Sequence, residues 1–237
     1  MSAALPHPGV NCLIESLTPS ERNKIITDCD TVDMVLGTIL HEPFQRYQHV
    51  YFPLAGFISL IATQGEHQRM AVGLIGNEGM LGTTLVLGSH SSSMKSIVAG
   101  AGCALKMSTM HFLRALHASS RLLHVLQVHL AATIDDLSKT ALCTRFHPIE
   151  QRLAYWLLLA QDRAHADNFY LTHESLADML GVRRSGITVA AGTLQAKALI
   201  HYTRGRIRIL NRTGLEAASC ECYRAQVGAC AKTFAQG

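Results

Sequence analysis

The chain has 237 residues, more than the roughly 100–200 of one typical domain, so we expect two modest domains. Hydrophobic residues make up 48% and charged residues 16% of it, and no apolar run approaches the roughly 18 residues of a membrane span. The net charge of +4 is uneven, because residues 1–144 carry nine Lys/Arg against ten Asp/Glu and residues 145–237 carry twelve against seven. The amino terminus lacks the basic and apolar regions of a secretory signal, so the composition predicts a cytoplasmic protein without a membrane segment.

The first half of the chain has the pattern of strands. From about Leu36 to Lys106, β-branched and aromatic residues alternate, and glycine recurs every several positions. This pattern predicts strand throughout, with short strands separated by glycine turns in a compact β-roll or barrel. The glycines of this block include Gly56, Gly73, Gly76, Gly79, Gly82, Gly100 and Gly102. The segment GLIGNEGMLG lies among these strands and does not open a helix, so we interpret it as turns of the roll.

A helical pattern begins near Met110. Apolar residues recur at helical spacing in the stretch 119–143, which contains neither Gly nor Pro: Leu123, Leu126, Leu130, Leu137 and Ala141. So long an apolar stripe favours pairing with a second copy of the chain, as in a dimerising coiled coil. The alternative is a helix packed on its own β domain. His147 and Pro148 then mark a hinge, and the pattern predicts another helix over 149–164.

The sharpest motif lies in residues 172–212. Thr172 is suited to cap a short helix over 173–180, and Gly181 supplies a turn before a second helix that starts near Arg183. This spacing predicts a helix-turn-helix. Ile207 and Ile209 then alternate with arginines after the dipeptide 204–205, which predicts a β-hairpin with a basic outer face.

The distribution of charge in residues 183–212 indicates a binding partner. Between positions 183 and 212 there is no acidic residue, and there are seven basic ones: Arg183, Arg184, Lys197, Arg204, Arg206, Arg208 and Arg212. An ordinary solvated surface mixes both signs. A one-sign patch on a helix-turn-helix indicates contact with duplex DNA, because phosphate neutralisation supplies most non-specific affinity. The alternative is a surface that aids solubility or docks a protein partner.

The sequence resembles the Crp/Fnr superfamily of bacterial transcription regulators over nearly its whole length. The resemblance is carried by YFPLAGFISLI and GLIGNEGMLGTTLVLG, by the long helix, and most specifically by LTHESLADMLGVRRSGITVAAGTL through KALIHYTRGRIRIL. It implies an α+β protein with a cyclic-nucleotide-binding-like β-roll (1–118), a dimerisation helix and hinge (119–146) and a winged helix-turn-helix (147–237). It further implies a homodimer that binds a pseudo-palindromic site in double-stranded DNA, with RNA polymerase as a further expected partner.

The resemblance also assigns DNA-binding residues. A recognition helix beginning near Arg183 directs Arg184, Ser185, Thr188 and Val189 toward the bases, and Arg204 and Arg206 of the hairpin accompany it. The best-known members have an Arg-Glu pair and a second arginine one turn later, where this chain has Arg184-Ser185 and Val189. Arginine can bond guanine bidentately and an apolar side chain can touch a thymine methyl, so a different operator is expected.

The signal-binding residues depart further from the family. Members that bind cyclic AMP hold its ribose and phosphate with a Glu and an Arg-Ser/Thr pair. Glu78 stands near the expected acidic position, but the stretch SSSMKSIVAG has no arginine, and Lys95 offers a point charge and not a bidentate fork. Glu78 and Lys95 are therefore the effector-binding candidates, the effector is not expected to be cyclic AMP, and no cofactor is identified.

Cysteines and catalytic motifs complete the expectations. Seven cysteines at irregular spacing are typical of a reducing compartment, and Cys12 and Cys29 are too few for the amino-terminal iron–sulfur cluster of oxygen-sensing relatives. Cys220, Cys222 and Cys230 could bind a metal or sense redox change, but they lack a fourth ligand, so they are interpreted as structural and no metal site is predicted. Since the sequence holds no nucleophile elbow, phosphate loop or zinc-protease motif, an enzyme is not expected.

Overall fold

A computed structural model of the chain describes residues 9–65 and 68–226. The amino-terminal half is a strand-rich unit flanked by helices. Its elements are α1 (Cys12–Glu15), α2 (Pro19–Thr27), β1 (Asp30–Met34), β2 (Ile39–His41), β3 (His49–Gln64), β4 (Gln68–Ile75), a 3-10 helix (Thr83–Leu87), β5 (Lys95–Ser108), α3 (Thr109–Ala118) and α4 (Ser120–Phe146).

The strands form one antiparallel sheet in the order β1-β5-β3-β4, with β2 paired to β5. β3 pairs with β5 along most of its length, and the register shifts several times between Pro53 and Ile58. A Cβ on Gly56 would clash with the carbonyl oxygens of Gly100 and Ala101, so glycine is required where the two strands approach at these bulges. The β-roll prediction is confirmed in its fold.

Two details of that prediction are wrong. Gly56, Gly100 and Gly102 lie inside two long strands, where the sequence had suggested turns between short ones. The expectation of strand throughout also fails at residues 83–87, which form a 3-10 helix between two left-handed glycines, Gly82 and Gly88. In both places glycine permits a backbone conformation or a close approach that the sequence pattern alone does not distinguish from a turn.

The two halves of helix α4 differ in what they contact. Its first half packs on the roll, where Leu122 and Leu126 are buried in the same core as Phe52 and Phe112. Leu126, assigned from the sequence to a dimer stripe, therefore faces its own domain. The second half of the helix leaves Ile134, Leu142 and Phe146 more than half exposed. The alternative interpretation, a helix packed on its own domain, thus holds for the first half of α4.

The carboxy-terminal half contains four helices with defined bounds and a small sheet, and residues 222–226 at the end of the described range are also helical. The elements with defined bounds are α5 (Ile149–Ala164), β6 (Asn168–Tyr170), α6 (His173–Leu180), α7 (Arg184–Ala196), β7 (Ile200–Thr203), β8 (Arg206–Ile209) and α8 (Arg212–Ala218). The sheet order is β6-β8-β7. Pro148 caps α5 after an extended His147, which confirms the predicted break between α4 and α5.

Helix α5 joins the two halves of the molecule. Every residue from Arg152 to Arg163 is buried, as expected of a helix that is covered on all sides. Phe57 and Leu74 of the roll belong to the same core cluster as Leu157 of α5 and Leu180 of α6. The carboxy-terminal half therefore shares a core with the roll. No helix in the described ranges is long and apolar enough to span a membrane.

Candidate nucleic-acid interface

The helix-turn-helix is formed by α6 and α7. Thr172 Oγ1 accepts a hydrogen bond from the Ser175 N–H at 3.0 Å, which confirms the predicted cap. Gly181 ends α6 with φ at 62°, a left-handed conformation that glycine adopts at little cost. The inner faces of the two helices are buried through Leu176, Ala177, Leu180, Ile187, Ala191 and Leu194. Local sequence signals thus place both helices as expected.

The outer face of α7 carries the four residues assigned to the bases. Arg184, Ser185 and Thr188 are exposed, and Val189 is 70% exposed although its side chain is apolar. Arg183 caps the helix and is also exposed. The helix therefore presents a guanidinium, hydroxyl groups and an apolar group on one surface, which are the side-chain chemistries that read base edges in a major groove.

Strands β7 and β8 form the wing. Ile207 and Ile209 are buried under the sheet, so Arg206 and Arg208 lie on its opposite, exposed face. The turn between the strands holds Arg204 in a left-handed conformation with φ at 49°, and its side chain is exposed. The predicted hairpin and its basic outer face are present.

The basic patch is smaller than the sequence count suggests. Lys197 Nζ lies 2.6 Å from Glu150 Oε1, and Arg212 forms ion pairs with Asp162 at 2.8 Å and with Glu216 at 2.9 Å. These two side chains are held by acidic partners outside the segment 183–212. The remaining five arginines are exposed and make no ion pair within the described parts of the chain: Arg183, Arg184, Arg204, Arg206 and Arg208.

His173 connects the wing to the recognition helix, a role that sequence reasoning missed. Its ring stacks on Tyr202 with the centroids 4.3 Å apart, and its Nδ1 lies 3.1 Å from Thr188 Oγ1. Burial, and secondarily the charge of Arg184, lower the pKa of His173 below its usual 6.5, so the imidazole is neutral at pH 7. The ring of His173 therefore contacts both α7 and the wing.

A second candidate site is a cavity of about 110 Å³ between the roll, α4 and α5. Glu78 lines it, and its Oε1 lies 2.8 Å from Arg163 Nε and accepts a hydrogen bond from the Gly76 N–H at 3.1 Å. His129 and Asp136 of α4 also line the cavity. Burial lowers the pKa of His129, against the opposing effect of the two carboxylates. The Glu78–Arg163 pair joins the roll directly to α5.

The structure does not bring the two effector candidates together. Lys95 begins β5, its Nζ lies 3.1 Å from Glu42 Oε1, and it is not among the residues that line the cavity beside Glu78. A role of Lys95 in effector binding stays a prediction. The group that does meet Glu78 is Arg163, which lies 85 residues away in the sequence and carries no local signal of that contact.

A group of thiols lies at the hinge between α4 and α5. Cys220 and Cys222 meet Cys143 and His147, and one possible ligand atom from each of the four lies within 4.8 Å of the others. A hydrogen bond with Cys143 lowers the pKa of Cys220 to about 6. Cys230, the third member of the group considered from the sequence, lies outside the described residues. Cys143 and His147 were missed because they precede their partners by 77 and 75 residues.

A comparison with protein-family models identifies the domain in the carboxy-terminal half of the chain. Residues 151–218 match the family model of the Crp-like helix-turn-helix domain. No curated protein matches the chain by sequence similarity.

Solved structures are similar over most of the chain. One is a transcriptional regulator of the Crp/Fnr family from Eubacterium rectale, 18% identical, covering 90% of this chain and 97% of that one, with a TM-score of 0.67. Another is FixK2 from Bradyrhizobium japonicum, 14% identical over 81% and 98%, with a TM-score of 0.67. A third is the c-di-GMP-responsive global regulator CLP from Xanthomonas campestris, 16% identical over 81% and 99%, with a TM-score of 0.65.

The matching domain and the similar structures define a class of fold: an antiparallel β-roll and a long helix, followed by a Crp-like winged helix-turn-helix. The fold of this chain is similar to that of solved Crp/Fnr-type regulators, which confirms the fold that the sequence resemblance implied.

Proposed function

We propose that this chain is a homodimeric, sequence-specific DNA-binding regulator that reads a pseudo-palindromic site through α7 and the wing. The observation that carries the proposal is the set of five exposed arginines without acidic partners on a helix-turn-helix frame. Exposed guanidinium groups without counter-charges favour a polyanionic partner. The DNA-binding residues in this proposal are the seven predicted from the sequence, Arg183, Arg184, Ser185, Thr188, Val189, Arg204 and Arg206. Arg208, which lies on the same exposed face of the wing as Arg206, joins them.

These residues divide into two roles. Arg184 and Val189 point from the first turns of α7, so we assign them to base edges: a bidentate contact to guanine and an apolar contact to a thymine methyl. The arginines of the wing alternate with buried isoleucines and project from a flat sheet face, so we assign them to phosphates. Phosphate contacts fix the position of the protein, while Arg184 and Val189 select the sequence.

The proposed dimer interface is the second half of α4. Ile134, Leu142 and Phe146 are more than half exposed, and their spacing of eight and four residues puts them on one helical face. A helix of 27 residues is about 40 Å long, sufficient to hold two copies side by side beyond the roll. A two-fold pair would present its recognition helices to major grooves about one helical turn of DNA, ~34 Å, apart.

The cavity beside Glu78 is the proposed signal site. Its volume of about 110 Å³ is small beside the roughly 300–1,000 Å³ of pockets for drug-sized ligands. A ligand that competes with Arg163 for the Glu78 carboxylate would act directly on α5, which is buried against α7. RNA polymerase is proposed as a further partner because of the resemblance to Crp/Fnr regulators.

Selection of bound duplexes from a random DNA pool tests the proposed function. We expect enrichment of a two-fold-related sequence whose half-sites are about 10 base pairs apart, centre to centre. The second candidate, a sensor whose basic domain docks a protein partner, rests on the departure of Ser185 and Val189 from the family's base-reading residues. A docking module would enrich no sequence, and that result would reject the DNA-reading proposal in favour of the second one.

A further inference from the structure

Four metal-ligand side chains converge where the long helix meets the end of the DNA-binding domain. Cys143 lies in the last turn of α4, and His147 follows it in the extended link to α5. Cys220 and Cys222 follow α8. Cys143 Sγ lies 3.6 Å from Cys220 Sγ, and Cys222 Sγ lies 3.6 Å from His147 Nδ1. All three thiols are buried, and His147 is half-buried.

We propose that Cys143, His147, Cys220 and Cys222 form a Cys₃His site for a single tetrahedral Zn²⁺ ion. Zn–S bonds of about 2.3 Å and Zn–N bonds of about 2.0–2.1 Å at tetrahedral angles place the ligand atoms roughly 3.6–3.8 Å apart. The Cys143–Cys220 and Cys222–His147 distances, both 3.6 Å, fall in this range. The other ligand atoms lie within 4.8 Å of one another, so closing the tetrahedron needs shifts of no more than about 1 Å.

The donor set and its compactness select this ion among the alternatives. Thiolate with imidazole suits zinc, whereas magnesium and calcium prefer oxygen ligands. In an iron–sulfur cluster the four protein ligands are shared among two or four irons, so the cluster itself spreads the ligands apart. Four donor atoms within 4.8 Å of one another leave room for one ion. Cys143 and Cys220 are not joined by a disulfide at this separation, because their sulfur atoms lie 3.6 Å apart and a disulfide bond is about 2.05 Å long.

The surroundings fit a metal centre. His147 Nδ1 faces the thiols, and its Nε2 lies 3.1 Å from Glu221 Oε1. A carboxylate on the far nitrogen is the usual way in which proteins orient a ligating imidazole. Zn²⁺ with three thiolates carries one net negative charge. The buried guanidinium of Arg152 interacts electrostatically with Cys143 and Cys220 and would offset that charge.

The position of the site indicates a structural role for the ion. It joins the end of α4 to the segment after α8, which are 77 residues apart in sequence and enclose the whole helix-turn-helix and wing. A four-coordinate protein-only zinc site is closed and structural in type. The ion would fix the orientation of the DNA-binding half relative to the long helix, in addition to the shared core around α5.

Metal analysis of the full-length protein tests the site. We expect about one zinc per chain after purification in reducing buffer and dialysis against Zn²⁺ followed by removal of free metal. Substitution by Co²⁺ should give the visible absorption of a tetrahedral thiolate complex. Cys222→Ser should lose both signals, and Cys103→Ser, a matched change of a partly buried cysteine in β5, should keep both.

A milder variant covers the case in which Cys222→Ser fails to fold. Glu221 is exposed, so Glu221→Gln should fold and yet bind zinc about 10- to 100-fold more weakly in competition with a chromogenic chelator. Full-length wild-type protein that takes up neither zinc nor cobalt would overturn the proposal. Isolation with iron and inorganic sulfide, or with a Cys143–Cys220 disulfide in its place, would overturn it equally.

Discussion

Replacement of Arg184 by alanine should weaken binding to the selected DNA site by about 1–3 kcal/mol, or roughly 5- to 150-fold in Kd, and should relax the preference at one base pair in each half-site. Arg184 is the first residue of α7 and is exposed without an acidic partner in the described chain. The loss is sequence-specific because a guanidinium bonded to the O6 and N7 of guanine discriminates against the other bases. Fluorescence anisotropy with the selected site and with single-base variants measures it.

Arg208→Ala is the matched control for this experiment. Arg208 is also exposed but projects from the wing, so its loss should weaken binding by a similar factor on every sequence. The two variants therefore separate base reading from phosphate contact within one patch. If Arg184→Ala reduced affinity equally on the selected site and on unrelated DNA, Arg184 would be a phosphate contact, and its assignment to a base would be wrong.

Replacement of Arg163 by methionine should destabilise the protein by on the order of 3 kcal/mol, because it leaves the Glu78 carboxylate without its cation in a largely buried place. The Arg163 and Glu78 side chains are only 10% and 18% exposed. Chemical denaturation at pH 7 measures the change. A second effect is expected on DNA binding, since the same pair ties the roll to the helix that supports α7.

Two further variants test whether the destabilisation by Arg163→Met comes from the Glu78–Arg163 pair. Glu78→Gln together with Arg163→Met removes both charges and should recover most of the loss, as a double-mutant cycle would show. Arg69→Met breaks another ion pair between the roll and the helix-turn-helix, with Asp178, but Arg69 is 54% exposed, so the change should cost less than about 1 kcal/mol. A cost for Arg163→Met no greater than that for Arg69→Met would contradict the role given to the Glu78–Arg163 pair.

The parts of the fold that the sequence predicted are those with local causes. Thr172 accepts a hydrogen bond three residues away, Gly181 adopts a conformation that other residues resist, and Ile207 and Ile209 follow the alternation of a strand. Each signal lies within a few residues of the structure that it specifies. For this reason the helix-turn-helix and the hairpin were predicted almost to the residue.

The parts that the sequence did not predict depend on contacts across long separations. Arg163 meets Glu78 across 85 residues, and Cys143 meets Cys220 across 77. Lys197 and Arg212 look like part of the basic patch in the sequence, but Glu150 and Asp162 of α5 form ion pairs with them. No periodicity reports such pairs, because they are set by how α4, α5 and α8 pack and not by their own residues.

The salt dependence of DNA binding tests the central claim most directly. If five exposed arginines per chain face the duplex, the logarithm of the association constant should fall steeply and linearly with the logarithm of salt concentration, by about 0.9 for each phosphate neutralised. Loss of one phosphate-contacting arginine, as in Arg208→Ala, should reduce that slope by about 1. A flat slope, or no binding to the selected duplex at low salt, would contradict the account.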